Sequence, residues 1–203
     1  MAAGYKLLDP QSVDPQFGKS TPGKLAMWMF LMTDAMSFAG FLLAMAVVRS
    51  TRDWPNPLEV FNLPLAVVMT LILALSSLTM VLSIDACRMK KRQEMLDWLL
   101  ATIILGTVFV FLQAYEYLHL IHEGMTLTQF LHGDDLFATT FYLVTGFHGL
   151  HVVIGVVYLI CQYRFALQGR YDQGNHGKLE LAGLFWHFVD LVWILVFTFI
   201  YLI

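Results

Sequence analysis

An aspartate lies inside a long apolar stretch near the start of the sequence. If that stretch is helical, Asp34 lies roughly 15 Å along it at 1.5 Å per residue, which is close to the middle of a bilayer. A charged side chain at that depth costs about 2.5–3.5 kcal/mol on insertion scales, so we expect this carboxyl to be protonated or paired. It is a candidate for a proton relay, or for a hydrogen bond that pins a neighbouring helix.

Two histidines further along the chain are the natural partners for this carboxyl. His148 and His151 are three residues apart, so a helix presents them on one face. Ligation of a metal or a haem is the alternative, but two histidines on one face cannot both be axial ligands of a single haem. Small residues that would let a neighbouring helix approach closely are Gly146, Gly149 and Gly155. We therefore predict that Asp34, His148 and His151 form a proton-uptake site or a buried polar network.

The same spacing recurs close to the end of the chain. His187 and Asp190 are three residues apart, and they lie next to Trp186 and Trp193, which share a helix face. Catalysis by this pair would need a nucleophile or a substrate pocket, and the sequence indicates neither. We predict an internal polar pair or a contact with another subunit.

A further group of ionisable residues collects at the end of an apolar stretch. Glu116, His119, His122 and Glu123 are expected at the membrane interface, where water or headgroups can solvate them. The histidine spacing could hold a metal ion, but no cysteine or third ligand accompanies it. The expectation is therefore a set of solvated interface residues and no metal site, with Glu116 also a candidate for an inter-helix or inter-subunit polar contact.

The composition explains why these ionisable residues stand out. Hydrophobic residues make up 58% of the 203 residues, charged residues make up 13%, and the mean hydropathy is +0.66. That apolar share exceeds the roughly 45–50% of an ordinary soluble domain and predicts an integral membrane protein. A dispersed net charge of -3 excludes a basic nucleic-acid surface. The two cysteines, Cys87 and Cys161, are expected to be packing residues and not a disulfide.

Five stretches are long and apolar enough to cross about 30 Å of hydrocarbon as helices. We therefore predict an all-α bundle of five transmembrane helices over residues 24–203, preceded by a flexible polar tail over residues 1–23 that holds three prolines. The predicted spans are Lys24–Val48, Pro64–Asp85, Met95–Ile121, Leu136–Tyr163 and Leu181–Ile203.

The distribution of basic residues predicts the orientation of these spans. Ten of the 12 Lys and Arg residues fall in the tail, the second loop and the fourth loop, whereas the opposite side has only Arg49 and Arg52. Cytoplasmic loops carry an excess of Lys and Arg. We therefore expect a cytoplasmic N-terminus and a C-terminus that faces outward.

Several motifs in order along the chain resemble subunit III of the haem-copper terminal oxidases, the cytochrome c oxidase subunit III family. The resemblance extends over about residues 25–203, and Asp34 aligns with a membrane-buried carboxylate that is glutamate in many members. Glu116 matches a characteristic glutamate of the family. The matching stretches are F-L-M-T-D ending at Asp34, N-P-L-E-V ending at Val60, L-Q-A-Y-E-Y ending at Tyr117, T-G-F-H-G-L-H ending at His151 and F-W-H-F-V-D-L-V-W ending at Trp193.

This resemblance implies an auxiliary, non-catalytic subunit of a proton-pumping oxidase that reduces oxygen to water. Such a subunit carries no haem or copper of its own; these belong to partner subunits. It packs against subunit I, in a complex with subunit II and a small subunit IV, binds phospholipid and supports proton uptake. The chain resembles the short five-helix form, which lacks the two helices that form one wall of a lipid-filled cleft. The expected location is the bacterial plasma (inner) membrane.

The sequence leaves alternatives for the electron donor of the complex and for the class of membrane protein to which the chain belongs. The stretch T-G-F-H-G-L-H favours a cytochrome c oxidase over a quinol oxidase, and a relative attached to a nitric oxide reductase is a third option within the family. From other classes, a haem b membrane anchor would use histidines on facing helices, for example His148 with His187. A small transporter would show an inverted repeat or interrupted spans, and neither is visible.

Overall fold

The structure is a computed structural model that describes residues 22–51, 55–56, 60–131, 134–172 and 176–202. The predicted tail falls almost entirely outside these residues, so its flexibility stays a prediction. The orientation of the chain in a membrane likewise stays a prediction from the charge distribution.

Five helices among the described residues are long and apolar enough to span a membrane, which confirms the all-α, five-span prediction. The helices begin one to four residues before their predicted spans, and the first four end one to four residues after them. The described residues contain no β-strand, only an isolated bridge between Met125 and Phe130. The helices are α1 (Pro22–Thr51), α2 (Leu63–Arg88), α3 (Arg92–His122), α4 (Asp135–Leu167) and α5 (Gly177–Phe197), which continues as one π-helical segment, Thr198–Leu202.

Local signals in the sequence determine where two of these helices begin. The Asn62 side chain accepts a hydrogen bond from the Leu65 N–H at 3.2 Å, and Pro64 lies in the first turn of α2. The Asp134 carboxylate accepts from the Leu136 N–H at 2.8 Å at the start of α4. Both are N-caps, which satisfy backbone donors that a helix leaves without partners.

The centre of the bundle is built around the indole of Trp186. A Cβ atom added at Gly106 of α3 would lie 2.5 Å from this ring, and one added at Gly155 of α4 would lie 2.9 Å from it. The indole N–H donates to the Ser76 hydroxyl of α2 at 3.0 Å. One fully buried side chain of α5 therefore packs against three other helices, and only glycine leaves room for it on α3 and α4.

A second tryptophan repeats this arrangement seven residues later. The Trp193 N–H donates to the Thr70 hydroxyl of α2 at 3.0 Å, and its ring lies edge-on to Phe109 of α3 at 4.8 Å. Three glycines of α4 were expected to allow close approach of a neighbouring helix, and only Gly155 does so. A Cβ atom placed at Gly149 would have no atom within 4 Å, and one placed at Gly146 would lie 3.8 Å from the Tyr117 hydroxyl.

Helix α1 lies at the edge of the bundle and packs mainly against α5 and α4. Its contact with α5 leaves two neighbouring apolar grooves of about 350 and 330 Å³, which share Ala35, Phe188 and Leu191. The side chains of Trp28, Met32 and Met36 on α1 are largely exposed. This helix is therefore the least enclosed of the five, and it carries Asp34.

Candidate functional site

The described structure brings Asp34 of α1 to His151 of α4 inside the bundle. The Asp34 Oδ1 atom lies 3.3 Å from the His151 Nε2 atom, and the two residues are only 8% and 9% exposed. The other imidazole nitrogen, Nδ1, lies 2.8 Å from the backbone carbonyl oxygen of Phe147. A carbonyl oxygen only accepts, so Nδ1 carries a hydrogen atom and donates it to Phe147.

This tautomer determines the chemistry of the pair. With Nδ1 protonated, the Nε2–Oδ1 contact is attractive only when one more proton is present, either on Nε2 as imidazolium or on the carboxyl of Asp34. In both forms the pair is neutral overall, as burial at this depth requires. The site therefore holds one proton between two atoms of different helices.

The second predicted partner, His148, is not bonded to Asp34. Its side chain is 1% exposed, and neither ring nitrogen has a hydrogen-bond partner among the described residues. The ring is tilted against Trp193 at 5.2 Å and lies edge-on to Phe109 at 6.0 Å. His148 thus lies in an aromatic enclosure one helical turn from the Asp34–His151 pair.

Glu116 corrects the expectation of a solvated interface residue. Its side chain is 3% exposed, and its Oε2 atom accepts a hydrogen bond from the Tyr201 hydroxyl at 2.8 Å. The neighbouring His119, His122 and Glu123 are exposed as expected, and His119 lies 3.3 Å from Glu123. Spacing along α3 could not distinguish Glu116 from them, because its burial depends on the end of α5 bringing Tyr201 across.

The structure places His187 and Asp190 beside α2. The His187 Nδ1 atom lies 2.6 Å from the Ser77 hydroxyl, which also lies near Asp190. The Asp190 carboxylate is 7% exposed, and neither oxygen has a hydrogen-bond partner in the described part of the chain. His187 thus makes an inter-helix polar contact with Ser77 of α2, and Asp190 lies near the same hydroxyl.

An ionic cluster at the other end of the bundle was missed by the sequence analysis. Glu180, in the first turn of α5, is nearly enclosed and forms an ion pair with Lys24 of α1. It also lies 2.6 Å from Arg88 of α2 and 3.2 Å from His176. The sequence predicts a surface pair of Arg88 with Asp85, whereas the structure records Arg88 with Glu180. A lone acidic residue beside an apolar run gave no indication of which basic residues it would bind.

Metal or haem binding by this chain receives no support from the geometry. The described residues contain no group of three or more His, Cys, Asp or Glu side chains that could hold a metal ion. The pairing of His148 with His187 across a haem is disfavoured by packing, since His148 is enclosed by Phe109 and Trp193 while His187 is bonded to Ser77.

Comparison with known proteins gives one consistent result. A sequence model of the family described as "Cytochrome c oxidase subunit III" matches residues 20–203. The curated relatives include proteins named "Probable quinol oxidase subunit 3" from Staphylococcus saprophyticus, 34% identical over 198 residues, and from Staphylococcus haemolyticus, 32% identical over 197 residues. A protein of the same name from Staphylococcus aureus is 31% identical over 197 residues. Each alignment covers 96% of this chain and 96% of the relative.

Proposed function

Because this chain belongs to the cytochrome c oxidase subunit III family of the haem-copper oxidases, we propose that it is the third subunit of a bacterial terminal quinol oxidase. Membership of the family makes the chain an auxiliary, multi-pass membrane subunit that associates with other oxidase subunits. Subunits III carry no redox cofactor of their own, and oxygen reduction takes place at haem and copper in a partner. The proposed partners are subunit I, by direct packing, subunit II and a small subunit IV, in the bacterial plasma (inner) membrane.

The choice of quinol as the donor rests on the names of the relatives. The sequence analysis favoured cytochrome c because of the T-G-F-H-G-L-H stretch at Thr145–His151, and the family description also carries that name. The most similar curated proteins reported above are all named as quinol oxidase subunits, and they match almost the full length of the chain. Full-length similarity is the stronger support, since this short stretch makes up only a small part of the chain.

The observation that carries a role in proton uptake is the Asp34–His151 contact at 3.3 Å. A proton shared between these two atoms lies inside the bundle, where it can be stored without leaving a net buried charge. We propose that this pair supports proton uptake by the complex, and that Glu116, His187 and Asp190 make polar contacts that hold the helices together. Phospholipid is the proposed occupant of the apolar grooves between α1 and α5.

Purification of the tagged chain from its native membrane in mild detergent tests the assignment. We expect a haem-bearing, many-helix subunit to co-purify with oxygen-reductase activity that quinol sustains and reduced cytochrome c does not. Activity sustained by cytochrome c alone would replace the quinol assignment with the alternative. Purification of the chain without partner subunits and without a haem spectrum would contradict membership of an oxidase complex.

Substitution of Asp34 tests the role of the proton-holding pair. In Asp34→Ala the haem spectra of the complex should be unchanged, because no redox ligand is lost. Inactivation during turnover should become faster, or proton uptake at high pH slower, and Asp34→Glu should restore part of the loss. If both rates in Asp34→Ala equal those of the wild type, the pair has no role in proton uptake and serves only to hold helices.

A further inference from the structure

Buried polar atoms without partners are concentrated along one line of this bundle. Of the eight enclosed side-chain atoms that have no hydrogen-bond partner among the described residues, six belong to Asp34, Gln113, Glu116 and His148. The remaining two belong to Asp190. Buried polar groups in folded proteins are nearly always satisfied, so such a concentration requires an explanation.

The helix register places these residues in one continuous row. Gln113 and Glu116 follow Phe109 on one face of α3, and Phe109 contacts His148. His148 is one turn from His151 on α4. The Tyr117 hydroxyl of α3 bonds Thr145 of α4, so Glu116 lies level with that part of α4. The row from the Asp34–His151 pair through His148 and Gln113 to Glu116 is therefore roughly 9 Å long, at 1.5 Å of rise per residue from 151 to 145.

Direct bonds within the protein do not satisfy the row. The Tyr117 hydroxyl lies near Gln113 and donates to the Thr145 hydroxyl at 2.7 Å, so its oxygen can still accept from the Gln113 amide nitrogen. The Gln113 oxygen, Glu116 Oε1 and both nitrogens of His148 remain without partners among the described residues. The partnerless atoms are completely enclosed, so neither a lipid nor a partner subunit can reach them in this packing. Whatever binds them must be small and must lie inside the bundle.

The partnerless atoms include both hydrogen-bond donors and acceptors, so their ligand must be able to do both. The Gln113 amide nitrogen donates only, its oxygen and that of Glu116 accept, and a neutral His148 has one nitrogen of each kind. An anion would be repelled by Glu116, and the described residues hold no cluster suited to a metal ion. Water both donates and accepts, and each buried water typically makes about three hydrogen bonds to such groups.

We propose that a file of internal water molecules binds along His148, Gln113 and Glu116 and connects the Asp34–His151 pair to the end of the bundle where α3 finishes. In the opposite direction the indole of Trp186 fills the space between Gly106 and Gly155 and interrupts the polar row.

At its Glu116 end the file is separated from a surface cleft by the buried side chain of Leu120. Leu120, one turn beyond Glu116, lines a cleft of about 520 Å³ together with Glu123 and Met125. The charge distribution predicts that this end faces outward. The water file stands on the geometry alone and does not depend on the proposed role of Asp34 in proton uptake.

A density map of the intact oxidase complex, at a resolution that shows ordered water, tests the proposal. We expect water peaks within hydrogen-bond distance of a His148 nitrogen and of Gln113 or Glu116. In Gln113→Met, which has a similar shape but no polar group, at least one of these peaks should be lost. Thr102→Val is the matched control, because Thr102 lies on α3 beyond Trp186 and pairs with Thr79 at 2.8 Å.

The results test the water file and the role of Asp34 in proton uptake separately. If the partnerless atoms are bonded directly to one another, with no water density between them, the water file is wrong. The wild-type map alone decides this, even if the substituted subunits fail to assemble. Water peaks in the wild type combined with unchanged turnover in Asp34→Ala would support the file and contradict the proposed role of Asp34 in proton uptake.

Discussion

Helices α2 to α5 and the edge helix α1 are held in the bundle by different means. Among α2 to α5, the indole of Trp186 fits against Gly106 and Gly155 and donates to Ser76. Helix α1 borders open apolar grooves instead, and polar side chains attach it at two points. These points are the Lys24–Glu180 and Asp34–His151 contacts.

The helices are held by different means because the solvent around them is lipid and not water. Lipid tails are as apolar as leucine, so apolar surface alone does not drive helices together in a bilayer, and association depends on close packing and polar contacts. The core relies on close packing around buried indoles, whereas α1 combines its two polar attachments with the aromatic contacts that Phe38 and Phe41 make to Phe147. Helix α1 can therefore shift at lower cost than the others, and any shift changes the contact of the carboxyl that it carries.

Removal of the central indole should have the largest effect on stability. Trp186→Ala leaves a cavity bordered by three helices and leaves Ser76 without its donor, with an expected loss of about 3–5 kcal/mol, as for other buried aromatic residues. Denaturant-induced unfolding of the purified complex measures this loss. Trp98→Ala is the control, because Trp98 is 40% exposed at the surface, and an equal loss there would contradict the central role of Trp186.

Two glycines on the same helix provide a finer test of close packing. Gly155→Ala would place a methyl group 2.9 Å from the Trp186 ring, whereas Gly149→Ala would meet nothing within 4 Å. We expect the first to destabilise the bundle by about 1–3 kcal/mol through overpacking. The second should be neutral or slightly stabilising, since alanine favours helix. Equal melting temperatures for the two variants would show that shape does not hold the core.

Loss of the ionic cluster around Glu180 should have a smaller effect, largest in α1. Glu180→Gln removes the shared partner of Lys24, Arg88 and His176. We expect a loss of about 1–2 kcal/mol, less than for a fully buried pair, because the three partner side chains are partly solvated. Hydrogen exchange should increase in α1 and stay constant in α3.

The control for this substitution is an ion pair at the surface. Glu94→Gln breaks the contact of Glu94 with Lys91 at 2.9 Å, in which both side chains are about half exposed. The expected change is below about 0.5 kcal/mol. A similar effect of Glu94→Gln and Glu180→Gln on α1 would contradict a specific attachment at Glu180.

Filling the groove beside α1 should have the smallest effect. Ala39 lines the groove of about 350 Å³, and Ala39→Leu extends a side chain toward α5. In detergent stripped of phospholipid we expect stabilisation of less than about 1 kcal/mol, and fewer retained phospholipids per complex. Unchanged phospholipid retention, measured by mass spectrometry, would contradict lipid binding in this groove.

The sequence by itself determined the spans, because a membrane requires about 20 apolar residues per helix and leaves few alternatives. Helical spacing also placed His148 and His151 on one face, and motifs indicated the family. Spacing within one helix, however, contains no information about which residue of another helix lies opposite.

The tertiary structure decided each pairing between helices. It brought Asp34 to His151 and not to His148, enclosed Glu116 under Tyr201, and assigned Glu180 to cations from different parts of the chain. It also enclosed Gln113, a residue of the L-Q-A-Y-E-Y stretch to which the sequence assigned no role, without a hydrogen-bond partner among the described residues. The physical reason is that burial and partnership depend on the crossing and register of helices, which arise from packing around Trp186 and Trp193 and are not local properties of the sequence.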